Sequence, residues 1–597
     1  MTARRASPVL GPLLVLALAG CSAEHYAEAA DREVGQILAE TREAALGERA
    51  TWVQYPLQAP EPPAETVPAA APESAAAPAE GAPAAAPQGA AEEPAKPEGE
   101  PAQGEQQQAA EEALQEPAEP AAAPTPQAAV EAPAVPPPEA PPAEVVRLDL
   151  VASLQLAVTS GRDFLDRKDA VFQQGLALSL VRYNFGPLLN STIAYVWSNQ
   201  QHGDAVQRIG GTLGLTQILP TGGSFGIGGL VNSTLSSSTE DHSLFDSGFN
   251  VSLTQPLARG AGYEVSHEAL TQTERDMVYE VRDFELFRED FSIGIASDFF
   301  DLVSQRSRLD NLHQHVKDAE YDRTKAEALR QVDRNRDEDV FLARRRLIDA
   351  ESQLLSAQTD YEAAVDDFKI RIGLPAETPV EIADEQPPFL PVSLDEASAV
   401  EVALHNRLDL LTGEDRVADQ ERQVRNARNG LLPDVDVGLN YNTISNVKGD
   451  FEDSLVPDDN WNATAALTVG LPLQRQLERN VYRNTLIELD QSRRNLDLQR
   501  DQVERDIVNQ LRELRQIEQQ IDLQRQQITQ EQRAVAVMEI RYEAGDVENR
   551  DLLDARQSLL DAQNALIDLL ARHFIARLTL LRNLGVLFID QDGMWVT

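Results

Sequence analysis

From Leu473 to Ala544 the chain runs for 72 residues without a glycine or a proline. Its apolar residues there recur every seven positions, at Ile507, Leu514, Ile521, Ile528 and Val535, with Val503, Ile517 and Met538 at intermediate positions. A heptad stripe sustained for so long predicts a helix of about 100 Å, packed as in a coiled coil rather than folded into a compact globule. Tyr263 to Ile372 is similar, with no proline and a single glycine, Gly294. The polar patch Asp333-Arg334-Asn335-Arg336-Asp337 predicts a break near its middle. Shorter helical stretches, Gly413 to Leu431 and Asp546 to Leu584, laid end to end approach the length of the long helix. Each half of the chain can thus supply one long helix and two short ones stacked beside it.

Between these stretches the period drops to two. Ser191–Ser198, Gly211–Leu219, Ser224–Asn232 and Gly248–Leu257 read as four strands. Asp434–Tyr441 and Trp461–Leu471 read as two more. Glycine, serine, threonine and asparagine set between apolar residues suit barrel strands with one polar face, although a soluble antiparallel sheet has the same alternation. The halves also align with each other at an offset of 246: Leu148-Asp149 with Leu394-Asp395, Ala157 with Ala403, Asp163 with Asp409, Pro187 with Pro433. Each half then follows the same order of short helix, proline, strands, long helix, turn and medium helix, ending at Ile372-Gly373 and Leu584-Gly585. This is an internal two-fold repeat.

Composition divides the chain further. The formal charge is −45, which excludes a general nucleic-acid binder, and a single cysteine excludes a disulfide framework or a cysteine-based zinc site. Of the 35 prolines, 22 fall between Pro56 and Glu144, with sixteen glutamates and one lysine. Such a tract cannot bury enough apolar surface to offset chain entropy and reads as a disordered, self-repelling spacer. Glu24 to Glu48, ahead of it, reads as a short polar helix. At the N-terminus, Met1 to Arg5 is basic and Val9 to Leu18 is apolar but too short to span a bilayer. Leu18-Ala19-Gly20-Cys21 resembles the lipobox of bacterial lipoproteins, in which the cysteine is acylated; Ser22 after it implies sorting to the outer membrane. The expected segments are a lipoprotein signal over 1–20, an acylated N-terminus and polar segment over 21–55, a linker over 56–145, and repeats over 146–390 and 391–597.

No nucleophile–base arrangement, phosphate-binding loop or metal-ligand spacing stands out, so the sequence predicts no enzyme, cofactor or metal. Asp333-x-Asn335-x-Asp337 opens like a calcium loop but has Glu338 and Arg344 where a glycine and a glutamate are required.

Leu148 to Leu587 resembles the TolC-like outer-membrane efflux protein family. The residues that carry the likeness are the strand-to-helix junction Thr254–Gly262, Leu471-Pro472-Leu473 at the equivalent place in the second half, and the run Arg541-Tyr542-Glu543-Ala544-Gly545 followed by Asp551–Gln557. The resemblance implies a mainly α fold with some β: antiparallel helical hairpins forming a periplasmic α-barrel, and a few strands per protomer pooled in a shared transmembrane β-barrel of a homotrimer. It implies a periplasmic adaptor protein and an inner-membrane transporter as partners, and outer-membrane lipid around the strands. It implies that Asp551 and Asp554 ring a periplasmic gate, that Asp339 and Tyr542 form a latch, and that Gly545, Arg541, Asp333 and Arg336 lie at the helical tips where the adaptor docks. The usual basic latch residue is replaced by Val547, with Arg550 and Arg336 as candidate substitutes. The competing expectation is a lipid-anchored periplasmic coiled-coil scaffold without a pore. The family's ordinary count is two strands per half, so the additional pair in the first half either enlarges the barrel or forms a hairpin outside it.

Overall fold

The computed structural model describes residues 23–47, 145–198, 206–236, 244–332, 336–448, 460–547 and 549–595. Cys21, the expected signal segment, the Pro/Ala/Glu tract and Asp333 lie outside the described residues. The chain divides into two units, residues 1–60 with 143–597 and residues 61–142; all that follows concerns the first.

Helix α1 spans Ala23–Leu46, and strand β1, Val146–Leu148, leads into α2 (Leu150–Ser160) and α3 (Arg162–Phe185). Four strands follow: β2 (Leu188–Ser198), β3 (Val206–Ile218), β4 (Ser224–Ser236) and β5 (Leu244–Pro256). A single turn, α4 (Tyr263–Ser266), precedes α5 (Glu268–Gln331) and α6 (Asp337–Arg371), which flank the predicted polar break. The second half holds β6 (Val380–Ile382), α7 (Glu396–Asn406), α8 (Leu408–Asn429), β7 (Asp434–Lys448), β8 (Trp461–Gly470), α9 (Gln476–Ala544) and α10 (Asn549–Asn583). The long helix α9 has 69 residues and starts three residues after the expected Leu473, because Leu471-Pro472 keeps the chain extended there.

The helices begin and end where local chemistry dictates. The Asp149 carboxylate accepts the Ala152 amide at 2.7 Å to cap α2, and Asp395, 246 positions later, accepts the Ser398 amide at 3.3 Å to cap α7. Gly373, Gly545 and Gly585 have φ of +85°, +79° and +69°. At each, the glycine amide and the next amide bond back to two carbonyls of the last helical turn, as in Gly545 N–H to Tyr542 O and Asp546 N–H to Arg541 O.

The heptad residues of α9 pack as the pattern requires. Val503, Ile507 and Leu514 are buried against α7, α8 and α10, Ile521 is buried as well, and Ile528 and Val535 are half-buried. A larger core joins α1, α2, α3, the first half of α5 and the end of α10. Phe164 sits 5.8 Å from Phe284 and 5.5 Å from Phe291 between ring centroids. Helix α1 belongs to this core through Val34, Ile37, Leu38 and Leu46, so the expected polar helix is amphipathic and docked. Val34 lies against Gly175 of α3, Arg182 reaches Glu40 at 3.3 Å, and the Arg282 Nε donates to the Ala45 carbonyl at 2.9 Å.

A buried ion network ties α5 to α8. Asp419, 4 % exposed, accepts the Tyr279 hydroxyl at 2.5 Å and Arg422 Nη1 at 2.9 Å, and also pairs with Arg275. Arg422 continues to Glu268 at 2.8 Å and to Gln272 at 2.7 Å, and Arg282 reaches Asp415 at 2.7 Å. Burial and the bond to Asp419 push the Tyr279 phenol well above its ordinary range, so it stays a donor at every physiological pH.

All six long strands form one antiparallel sheet in the order β2-β3-β4-β5-β7-β8; β1 pairs separately and in parallel with β6. The first-half hairpins are therefore continuous with the second-half pair, through β5 and β7, and no hairpin stands apart. The register sorts the faces. Leu189, Ile193, Tyr195 and Trp197 of β2 share a face with Leu213 and Leu215 of β3, Ile227 of β4, Phe249 and Val251 of β5, Leu439 and Tyr441 of β7, and Leu467 and Val469 of β8. The opposite face carries the row Asn190, Gly214, Gly228, Asn250, Asn442 and Asn462, each the direct partner of the next. Glycines at 214 and 228 make room there: a Cβ would meet the Asn190 amide oxygen at 2.7 Å and that of Asn250 at 2.8 Å. Among the described residues, Ser445 is the only residue of this sheet that is buried, and Ile193 is 85 % exposed. Among the described residues no helix is long and apolar enough to cross a membrane.

Candidate functional site

The predicted site residues gather where α5 passes to α6 and α9 passes to α10. Gly545 ends α9 with its left-handed turn, and no atom lies within 4 Å of where its Cβ would be. The Arg541 carbonyl closes that turn and its side chain is exposed. On the other hairpin, Arg336 stands exposed at the start of α6, and its amide donates to the Asp339 carboxylate at 3.0 Å. Asp339 thus caps its own helix, a local use of the carboxylate that the resemblance had not implied. Asp337 accepts Arg330 Nε at 2.6 Å across the turn, and Arg330 holds its carboxyl below the usual range.

Tyr542 is half-buried, with Lys325 Nζ of α5 4.5 Å from the centre of its ring. Within one chain the structure therefore directs Tyr542 to Lys325 and Asp339 to its own helix start. Asp551 is exposed in the first turn of α10. Asp554, one turn on, is also exposed but takes Arg346 Nη2 of α6 at 3.0 Å, with Arg550 at 3.7 Å on its own helix. Arg550, a candidate latch residue, is thus engaged by Asp554. Val547 is half-buried.

Sequence reasoning missed Arg346, Lys325 and the next layer inward. Arg556 of α10 reaches Asp322 of α5 at 3.2 Å and Glu539 of α9 at 3.0 Å, joining three helices. Asp322 is 3 % exposed, and its burial raises its carboxyl above the ordinary value despite the pull of Arg556. Helical spacing places Arg556 beside its own neighbours in α10; nothing in the sequence pairs it with a residue 234 positions away. Among the described residues no group of three or more His, Cys, Asp or Glu side chains is placed to hold a metal ion.

Residues 399–586, most of the second half, match the model of the outer membrane efflux protein family. Three solved structures share the fold. The outer membrane protein VceC of Vibrio cholerae aligns with a TM-score of 0.55 and 14% identity over 73% of this chain and 96% of that one. Over residues 399–586 the chain is similar to the outer membrane efflux protein family. A membrane protein from Pseudomonas aeruginosa aligns with a TM-score of 0.57 and 15% identity, over 75% of this chain and 92% of that one. The open-state MtrE outer membrane channel of Neisseria gonorrhoeae aligns with a TM-score of 0.53 and 14% identity, over 74% and 90%. No curated protein sequence matches the chain. At these identities the structures speak for the fold of the chain alone. That fold is mainly helical with one antiparallel sheet, as its sequence implied.

Proposed function

We propose that this chain is the outer-membrane channel of a tripartite export system, a passive conduit from the periplasm or an inner-membrane pump to the outside. The observation that carries the reading is the six-stranded sheet: one face apolar and exposed, the other lined with asparagine, threonine and glycine, and β2 and β8 each left with an open edge. Open edges are not stable in lipid, so such a sheet must close with strands of other copies. A homotrimer, with the two halves as tandem repeats and the helices below as an α-barrel, supplies that closure. In this reading Cys21 is the acylation point after a signal over 1–20, the tract after Pro56 is a disordered linker, and the tips near Gly545 and Arg336 receive an adaptor that recruits an inner-membrane transporter. A pore-less scaffold has no use for an amphipathic sheet.

Asp551 and Asp554, three copies each, would ring the periplasmic opening and attract cations. Their partners rank them: Asp554 is neutralised in part by Arg346 at 3.0 Å, whereas Asp551 faces solvent. In planar bilayers the double variant Asp551→Asn/Asp554→Asn is expected to weaken block by a trivalent cation on the order of tenfold, since each charge contact in water contributes about 1 kcal/mol. The single Asp551→Asn should account for more of the change than Asp554→Asn. Protein that inserts no pore at all would sink the channel reading. Pores whose block is unchanged in the double variant would remove the gate assignment alone.

A further inference from the structure

We propose that all six strands of each copy stand in the barrel wall, with β2 of one copy sealed against β8 of the next, so that three copies close an 18-stranded barrel rather than one in which the additional hairpin is left outside. The proposal rests on the trimeric channel reading above.

Four observations lead to it. The strand count per copy is even, so β2 and β8 run in opposite directions and neighbouring copies meet antiparallel, continuing the alternation of the sheet. The faces agree, because the apolar side of β2 and that of β8 are the same side of one continuous sheet.

The third observation is the stagger. Followed strand by strand, Leu188, the first residue of β2, shares a row with Thr464 of β8, six residues short of the helix-proximal end of β8 at Gly470. If the helix-proximal rim is level, the sheet shears by about seven residues per copy. A closing register must be even to keep each face on its own side, which leaves about six or eight residues. With ordinary strand spacing and rise, these correspond to a tilt of about 35–43°, the range in which barrels close.

The fourth is the fit of the two edges in those registers. Trp461 of β8 lies in the row of Ser191 of β2 within one copy. A shear of about six residues sets Trp461 opposite Trp197 of the next copy and Tyr195 opposite Ala463. A shear of about eight sets Trp197 opposite Ala463 and Tyr195 opposite Ala465. In both registers Tyr195 on one edge meets an alanine on the other, and both tryptophans fall at the helix-distal end of the lipid-facing side, where interfacial aromatics belong. A wall of 18 strands measures about 35 Å between backbones, against about 23 Å for 12 strands at similar tilt. Its inner rows are asparagine and glycine, so the mouth suits bulky hydrated cargo rather than only drug-sized solutes.

The test is cysteine cross-linking of the full chain in membranes with a short bis-maleimide, which bridges opposite or diagonal cross-strand neighbours. Cys21 is the only native cysteine, and the parent chain run in parallel controls for it. Trp197→Cys/Trp461→Cys and the independent pair Tyr195→Cys/Ala463→Cys should each give a covalent trimer as the largest species. Each single variant should give none. Ser233→Cys/Trp461→Cys joins β4 to β8, the seam expected if the first hairpin lies outside the wall, and should stay monomeric. Cross-linking through Ser233, or none through either predicted pair in a chain that still forms heat-modifiable, conducting oligomers, overturns the six-strand wall and leaves the channel reading intact. Absence of oligomers and of pores in the parent chain defeats both.

Discussion

Asp419→Ala is expected to destabilise the fold by about 3 kcal/mol, because three donors lose the buried carboxylate that they share. The carboxylate is 4 % exposed and receives Tyr279, Arg422 and Arg275 at once. Removing it takes one of two carboxylates from each guanidinium, since Arg422 keeps Glu268 at 2.8 Å and Arg275 keeps Asp415 at 3.0 Å. The Tyr279 hydroxyl, held as a donor by the same carboxylate, loses its acceptor. Asp419→Asn keeps an oxygen for Tyr279 and should cost clearly less. Denaturant midpoints of the detergent-solubilised chain, read by circular dichroism, distinguish the two. A shift of under about 1 kcal/mol for the alanine variant would mean that water or rearranged side chains replace the network. The network lies between α5 of the first half and α8 of the second, next to the strand pair β5–β7 that also joins the halves. In the proposed trimer its loss should therefore also lower the temperature at which the copies dissociate.

Gly373→Ala is the second large effect. Its φ of +85° already costs an L-residue about 1–2 kcal/mol. The added Cβ would also stand 2.1 Å from the Ser160 carbonyl oxygen and 2.4 Å from its carbon. Both are backbone atoms at the end of α2, so no side-chain rotation relieves the clash, and crowding of this kind adds about 1–3 kcal/mol. Gly545→Ala is the control: the same left-handed turn at a φ of +79°, but open space around the new methyl. The expected result is a loss of about 3 kcal/mol or more at position 373 and about 1–2 kcal/mol at 545. Equal losses at the two positions would show that the turn conformation, and not the contact with α2, sets the cost.

Much of the fold is legible in the residues because it is periodic. The seven-residue spacing from Ile507 to Ile521 is the buried stripe of α9, and the four-plus-two alternating segments are the strands of the sheet. Helix ends are legible because they rest on single residues, Asp149, Asp395, Gly373 and Gly545, whose chemistry is local. Side-chain partners across the helices are not. Tyr279 and Asp419 are 140 positions apart, and Arg346 and Asp554 are 208 apart. On a charged helix surface any arginine has several carboxylates of equal sequence merit. The same reason hides the docking of α1, whose apolar residues look sparse until Gly175 is seen to admit Val34. It hides the local cap made by Asp339 as well, since a carboxylate three residues into a helix reads equally as a cap or as a surface charge. The strand count was readable, but whether the additional hairpin belongs to the sheet depended on register, which alternation alone does not set.

The docking of α1 has a consequence for the acidic tract. Ala23, two residues after Cys21, begins a helix seated on α3 and α5, and Val146, just past the far end of the tract, is paired to Val380. The helix before the tract and the strand after it thus belong to a single folded body. In the proposed reading a lipid on Cys21 would therefore be separated from that body only by the residues ahead of α1, whatever the length of the tract.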